Sequence, residues 1–156
     1  MLIIALCCLL MPQSEDQRPQ IKLATELAQR FHAALESGNM DSMLPMCQLP
    51  WYHDGQCVVQ QADILKVELK KLFDNRDTSQ GKRVADVKLV MTYAATKDRM
   101  PSKDRVLLDQ VVKDDDYLVL VMLKSADVTV RKSENVVLLA RIKDGKAMAI
   151  GVKHTQ

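Results

Sequence analysis

The sequence predicts an α+β fold in which N-terminal helices pack on a curved, mainly antiparallel sheet. Apolar residues recur at helical spacing in the first half of the chain, and they alternate or run without interruption in the second half. Asp-Gly pairs, a strong signal for a tight turn, occur at two places between apolar stretches. Helices that precede the strands, rather than alternating with them, are typical of the α+β class. With 156 residues, 47% of them apolar and 27% charged, the chain is long enough for one domain with its own core.

Three helices and a hairpin are predicted in the first half. Pro19 opens an amphipathic helix that ends at Gly38, and its apolar positions are Ala24, Leu27, Ala28, Phe31 and Leu35. Asp41 is expected to cap a short second helix, SMLPMC. Asp63 is expected to cap a third helix, whose apolar face carries Leu65, Leu69, Leu72 and Phe73. Between these two helices, residues 51–60 predict a small hairpin that turns at Asp54-Gly55.

The second half predicts a strand, a short helix and then three long antiparallel strands. Residues 87–93 have the alternating pattern of a strand buried mainly on one face. The residues predicted to lie on that buried face are Val87, Leu89, Met91 and Tyr93. The helix is expected to be capped at Ser102 and to carry Leu107, Leu108, Val111 and Val112. Residues 117–123 are apolar throughout, as in a central strand covered on both faces. Residues 134–143 and 146–154 form a hairpin around Asp144-Gly145.

The N-terminal segment differs from the rest, because residues 1–14 carry no charge and the ten residues from Leu2 to Met11 are all apolar. A membrane-spanning helix needs about 20 such residues, whereas a shorter run suits a secretory signal peptide. We interpret residues 1–18 as a signal peptide with a short linker, and residues 19–156 as one domain that is secreted or periplasmic and has no membrane span. No basic residue follows Met1 and no small-residue cleavage site is evident. A buried N-terminal element in a cytoplasmic protein is the alternative.

The cysteines, the charges and the absence of known motifs limit the partners, metals and cofactors that we expect for this chain. In an oxidising compartment Cys47 and Cys57 are either a disulfide or two small core residues. A formal charge of +2 without a basic block argues against nucleic acid as a partner. Zinc spacing is absent, the three histidines are scattered, and the acidic residues 114–116 lack the calcium-loop pattern, so no metal is expected. The sequence also lacks a Gly-rich phosphate loop, and no cofactor is expected.

The order of these elements resembles the nuclear transport factor 2-like superfamily, of the SnoaL-like kind. Three passages carry the resemblance over residues 19–153: ALESGNMDSMLPMC, then LPWYHDGQ with ADILKVELKKLF, and finally VVLLARIKDGKAMAIGVKH. The resemblance implies a curved sheet wrapped by helices into a cone with an apolar pocket. It also implies that function cannot be taken from the fold, because similar domains include enzymes, transport adaptors and proteins without known activity.

The resemblance implies a pocket base, either a carboxylate or a histidine, in those relatives that are enzymes. The nearest acid here is Asp54, which its Asp-Gly turn places at an exposed tip, so no catalytic pair carries over. The predicted ligand pocket consists of Trp51, Tyr52, His53 and Tyr93. We therefore expect a non-catalytic module that binds a small apolar ligand or a protein partner. The alternative is an isomerase, cyclase or dehydratase that uses Tyr52, His53 or Tyr93 to move protons. At least two titratable groups on an open cavity of about 300 Å³ would keep that alternative open.

A homodimer is predicted from the terminal hairpin. The Asp144-Gly145 turn sets Lys143 opposite Lys146, and counting outward gives two faces that are both apolar. One face consists of Val137, Leu139, Arg141, Met148, Ile150 and Val152. If the helices cover only one side of the sheet, the other apolar face should pair with a second copy, as in many members of the resembling family. A long loop or the N-terminal run over that face is the alternative.

Overall fold

A computed structural model describes residues 17–76, 81–127, 129 and 133–155, so residues 1–16 of the predicted signal segment lie outside the described residues. The helices are α1 (Arg18–Ser37), α2 (Met40–Met43), α3 (Ala62–Asp74), α4 (Tyr93–Thr96) and α5 (Ser102–Leu108). The strands are β1 (Cys47–His53), β2 (Cys57–Val59), β3 (Arg83–Thr92), β4 (Tyr117–Ser125), β5 (Ser133–Lys143) and β6 (Lys146–Thr155). They form one six-stranded sheet in the order β2-β1-β6-β5-β4-β3, in which only β1 and β6 run parallel among the described strands. The α+β class is confirmed.

Helix α1 follows the sequence closely. Pro19 lies in the first turn of the helix. Gly38 ends the helix in a left-handed conformation, with a φ of 68°, and its backbone N–H donates to carbonyls of the last turn. The predicted apolar stripe is buried against the sheet, and the ring of Phe31 stacks on Trp51 of β1 at a centroid distance of 6.1 Å. Burial of this stripe, rather than helix propensity, holds the helix in place.

Three predicted helix caps are wrong. Ser102 is the first residue of α5 and does not cap it, because the N-cap position is Pro101, and the helix ends at Leu108, before Val111 and Val112.

Helix α2 is capped by Asn39 instead of Asp41, because the Asn39 side-chain oxygen accepts the N–H of Ser42 at 2.9 Å. Helix α3 begins at Ala62, so Asp63 lies inside its first turn. An acid in that position interacts favourably with the positive end of the helix dipole but accepts no capping bond here.

Strand β3 reverses the predicted alternation because it contains a β-bulge at Lys88. Val87 pairs with Val121 and Leu89 pairs with Leu120, which leaves Lys88 as an extra residue. Val90 is consequently buried, whereas Leu89 and Met91 are only partly so. Tyr93 begins α4 rather than continuing the strand.

Strand β6 contains a second bulge, at Ile150, so its pairing with β5 differs from the predicted register beyond that residue. The pairs nearest the turn are as expected, but Leu139 pairs with Gly151 and Leu138 with Val152. Val152 therefore faces the α1 side of the sheet, with Leu138, and does not share a face with Leu139.

The second face of the sheet is partly covered within the chain, which corrects the premise that the helices cover only one side. Helices α4 and α5 and the residues after them pack on it, and the buried residues there are Tyr52, Tyr93, Leu108, Val111, Val112, Leu139 and Ile150. Leu138 and Leu139 are 0% and 1% exposed although they point to opposite faces. Arg141, from the predicted dimer face, is held by Asp116 at 2.5 Å and by the carbonyl of Val111 at 2.8 Å. The homodimer itself stays a prediction.

No helix in the described residues is both long enough and apolar enough to cross a membrane.

Candidate functional site

A cavity of about 530 Å³ lies between α1, α3 and one end of the sheet. We call it the histidine cavity, because His32, His53 and His154 all line it. Its volume is in the range of small-molecule sites. Apolar wall positions are Phe31, Leu35, Leu72, Leu123, Val136 and Val152, and polar ones include Asp54, Lys71, Arg76, Arg83 and Glu134. The cavity thus has the size and the titratable groups that keep the enzymatic alternative open.

His32 is contributed by α1 and is almost completely buried. Its ring meets Phe31 edge-on at a centroid distance of 5.6 Å. Burial, with smaller effects of Arg83 and His154, lowers the pKa of His32 from its usual 6.5 to about 4, so the ring is neutral near pH 7. Among the described residues, neither ring nitrogen has a hydrogen-bond partner. A buried polar ring without partners is costly unless a ligand or an ordered water completes it.

His53, at the end of β1, is oriented by α3. Its Nε2 lies 3.5 Å from a carboxylate oxygen of Glu68, whose other oxygen accepts from Lys71 Nζ at 2.6 Å. Burial lowers the pKa of His53, and the Glu68 carboxylate opposes that shift. The carboxylate favours the hydrogen on Nε2, which leaves Nδ1 as an acceptor. Nδ1 is buried and has no partner in the described residues.

His154 and Asp54 form the rim. The side chain of Asp54 accepts the backbone N–H of His154 at 2.8 Å, and its second oxygen lies 3.2 Å from His154 Nδ1. The backbone N–H of Asp54 donates to Val152 at 2.9 Å. These bonds fix the β1–β2 turn against β6, so Asp54 lines the cavity and is not the exposed tip that the turn predicts. Glu134 lies 3.6 Å from His154 Nε2.

Two arginines close the end of the cavity near the α1 C-terminus. Arg83 pairs with Glu36 at 2.8 Å and with Glu134 at 2.7 Å. Arg76 donates to the carbonyls of Leu35 and Glu36 at 2.8 and 2.6 Å, where the helix has unpaired acceptors. The Nε of Arg76 is buried and has no partner within the part of the chain that the structure describes.

The four residues of the predicted pocket do not meet at one place. His53 lines the histidine cavity, but Trp51 packs in the core beneath α1, and Tyr52 and Tyr93 are buried on the second face. The alternation of β1 explains the split, because Tyr52 points away from both its neighbours. The hydroxyl of Tyr93 donates to Asp109 at 2.5 Å, and burial followed by this bond raises the pKa of Tyr93 above its usual value.

Cys47 and Cys57 are both free. Cys57 pairs with His53, whereas Cys47 lies at the opposite end of β1, which is beyond the reach of a disulfide. The Cys47 thiol donates to the carbonyl of Met43 at 3.4 Å, and burial raises its pKa to about 12. A thiol of this kind packs as a small apolar group.

Sequence reasoning missed most of the cavity. His32 and His154 carry no local motif, and Glu68, Arg76 and Arg83 are ordinary charged residues until the fold brings them together. The one usable signal was His53 beside an Asp-Gly turn. Within the described ranges, no three histidine, cysteine or acidic side chains are arranged to hold a metal ion.

Comparison with known proteins gives structural likenesses only. No protein-family model matches the chain, and neither does any curated protein. A protein of unknown function with a cystatin-like fold from Nostoc punctiforme is similar at a TM-score of 0.53 and 14% identity, over 86% of this chain and 88% of that one. A variant of Rd1NTF2_05 is similar at a TM-score of 0.54 and 9% identity, over 87% of this chain and 99% of that one.

Aln2 from a Streptomyces species gives a TM-score of 0.51 at 9% identity, and 94% of each chain is covered. At such low identity a likeness shows the fold and leaves function open. The cone of helices on a curved six-stranded sheet and these likenesses together show that the chain has the nuclear transport factor 2-like fold.

Proposed function

We propose that this protein binds a small molecule in the histidine cavity. One observation carries the proposal: four buried side-chain nitrogens of lining residues have no partner among the described residues, namely both ring nitrogens of His32, Nδ1 of His53 and Nε of Arg76. Buried polar groups in folded proteins are nearly always hydrogen-bonded, so a cluster of unpaired ones beside a cavity favours an occupant. Apolar walls next to these nitrogens are the usual composition of a small-molecule site.

A titration followed by NMR tests the proposal with an uncharged probe, 2-(2-naphthyl)ethanol. We expect saturable shifts of resonances from Phe31, Leu72 and Val136, which belong to three different walls. Replacing Arg76→Met should weaken binding about three- to tenfold by removing one donor, whereas the exposed control Arg99→Met should bind as wild type. Shifts that do not saturate, or that Arg76→Met leaves unchanged, would contradict a site in this cavity.

Acid–base chemistry on the bound molecule is a second candidate function. The pairing of His53 with Glu68 favours it, because a carboxylate that orients an imidazole leaves the second nitrogen as a base. The test is exchange of the methyl protons of 2-acetylnaphthalene for deuterium in D₂O. General-base catalysis is worth about 10²- to 10⁴-fold, and His53→Gln should abolish that acceleration. If the methyl protons of the bound probe exchange no faster than in buffer, this second function is contradicted and only the binding function remains.

Export completes the proposal, with residues 1–18 as a signal segment. The uncharged apolar run that ends at Met11 supports it. Protein secreted by the native host should begin between residues 14 and 20 when its N-terminus is sequenced. Intact Met1 on soluble cytoplasmic protein would contradict export.

A further inference from the structure

A groove lies on the opposite side of α1 from the histidine cavity, and the two share no lining residue. We call it the α1 groove. It has a volume of about 750 Å³ and lies between α1, the turn after α2 and the start of β6. Its apolar walls include Leu23, Pro45, Met46 and Met148. From Leu23 to Ser37 it follows α1 for about 21 Å, because an α-helix rises about 1.5 Å per residue.

The charge of the α1 groove has one sign. Among the described residues, its charged lining residues are Arg30 and Lys146, and no acidic side chain lines it. Both cations are exposed, and neither has an ion pair within the described part of the chain. Glu26, one turn before Arg30, pairs with Lys22 at 3.9 Å, and Asp144 lies in the neighbouring turn without lining the groove. An anionic partner would therefore meet two cations without displacing an internal acid.

We infer that the α1 groove docks an acidic amphipathic helix of a partner protein. A helix bonds its own main chain, so it needs from a groove only apolar contact and matching charge, and the α1 groove offers both. The length along α1 corresponds to about four turns of a partner helix. The exposed edges leave the groove open to solvent, so the polar side of such a helix stays in water. Sites for small molecules, in contrast, enclose most of the ligand.

Three peptides of about 14 residues, which as helices match the length of the groove, test the inference. They share one face of leucine and alanine and carry glutamate, glutamine or lysine on the other. NMR titration of the full chain at low salt should give saturable shifts at Ala33, Met46 and Met148, which belong to three walls. The glutamate peptide should bind about three- to tenfold more tightly than the glutamine peptide, because it gains two exposed ion pairs, and the lysine peptide should bind most weakly. Added salt should reduce these differences, since it screens exposed charges.

Charge reversal at the two cations gives a matched comparison. Arg30→Glu combined with Lys146→Glu should invert the order, so that the lysine peptide binds most tightly. Arg99→Glu combined with Lys103→Glu makes the same change in net charge at exposed residues outside the groove, and should keep the wild-type order. All four side chains are exposed, so both double variants should fold.

Three outcomes would overturn the inference. The glutamate and glutamine peptides could bind equally, the charge-reversed protein could keep the wild-type order, or none of the three peptides could give saturable shifts. Self-association of the wild type that Arg30→Glu with Lys146→Glu abolishes in sedimentation would also overturn it, because the groove would then hold a second copy. None of these results bears on the histidine cavity, whose probe is followed at Phe31, Leu72 and Val136.

Discussion

The two faces of the sheet are both apolar, but their buried polar groups are satisfied in different ways. On the second face, covered by α4 and α5, the polar groups pair with one another: Arg141 with Asp116, and Tyr93 with Asp109. On the α1 face, four buried nitrogens of cavity residues have no partner among the residues that the structure describes. The comparison teaches that the second face pairs these polar groups within the chain, whereas the α1 face leaves buried nitrogens that the proposed ligand would complete.

The largest effect is expected where the second face holds a buried ion pair. Asp116→Ala leaves the Arg141 guanidinium unpaired and also removes the acceptor for the N–H of Lys113. Because the two side chains are only 3% and 14% exposed, we expect a loss of about 3 to 5 kcal/mol in the free energy of unfolding, measured with urea. Asp115→Ala, at an exposed neighbour, should change it by less than about 0.5 kcal/mol. Equal effects of the two variants would mean that the pair does not hold this face.

The next effect concerns α5 as the cover of the second face. Leu108→Ala should cost about 2 to 5 kcal/mol, because Leu108 is 2% exposed and its removal leaves a cavity. Val106→Ala on the same helix should cost little, since Val106 is 63% exposed. A larger loss for Val106→Ala, accompanied by dissociation in sedimentation, would instead place Val106 in an interface with a second copy.

The cavity face is expected to respond to pH. The folded chain holds the pKa of His32 at about 4, below its usual 6.5, so as the pH falls the unfolded chain takes up a proton before the folded one does. Stability should therefore be complete above pH 6.5 and fall by about 2 to 3 kcal/mol toward pH 4.5.

The matched variant His32→Leu should lose most of that pH dependence and unfold at a higher urea concentration at pH 7, because its buried nitrogens are gone. Its affinity for 2-(2-naphthyl)ethanol should fall at the same time. A pH dependence identical to that of wild type would assign the effect to other groups.

The smallest of these effects is expected between the faces, where β1 runs beside β6. A Cβ on Gly151 would lie 2.6 Å from the carbonyl oxygen of Tyr52 and 3.0 Å from Leu139 Cδ1. Gly151→Ala should cost about 1 to 3 kcal/mol by forcing the strands apart. Gly145→Ala is not a matched control, because its φ of 71° adds backbone strain. If Gly151→Ala leaves the free energy of unfolding unchanged, then β1 can move away from β6 without destabilising the fold.

The sequence by itself determined the local elements. Pro19 and Gly38 bound α1 because one residue fits the first helical turn and the other adopts a left-handed conformation at the end. Asp144 and Gly145, with φ values of 52° and 71°, form the predicted turn. The continuous apolar run of β4 predicted burial on both faces, which is only half right: the residues facing α1, Tyr117, Val119, Val121 and Leu123, are buried, whereas Leu118, Leu120 and Met122 on the other face are only partly buried.

Only the tertiary structure decided which residues share a face and a site. The bulges at Lys88 and Ile150 each insert one residue, and one residue reverses the side to which every later side chain points. Neither position has a composition that marks a bulge. The histidine cavity depends on the parallel pairing of β1 with β6, which brings His53 beside residues near the C-terminus. Local spacing carries no information about such long-range pairing, because the chain between the paired segments can fold in many ways, so the convergence of three scattered histidines could not be predicted.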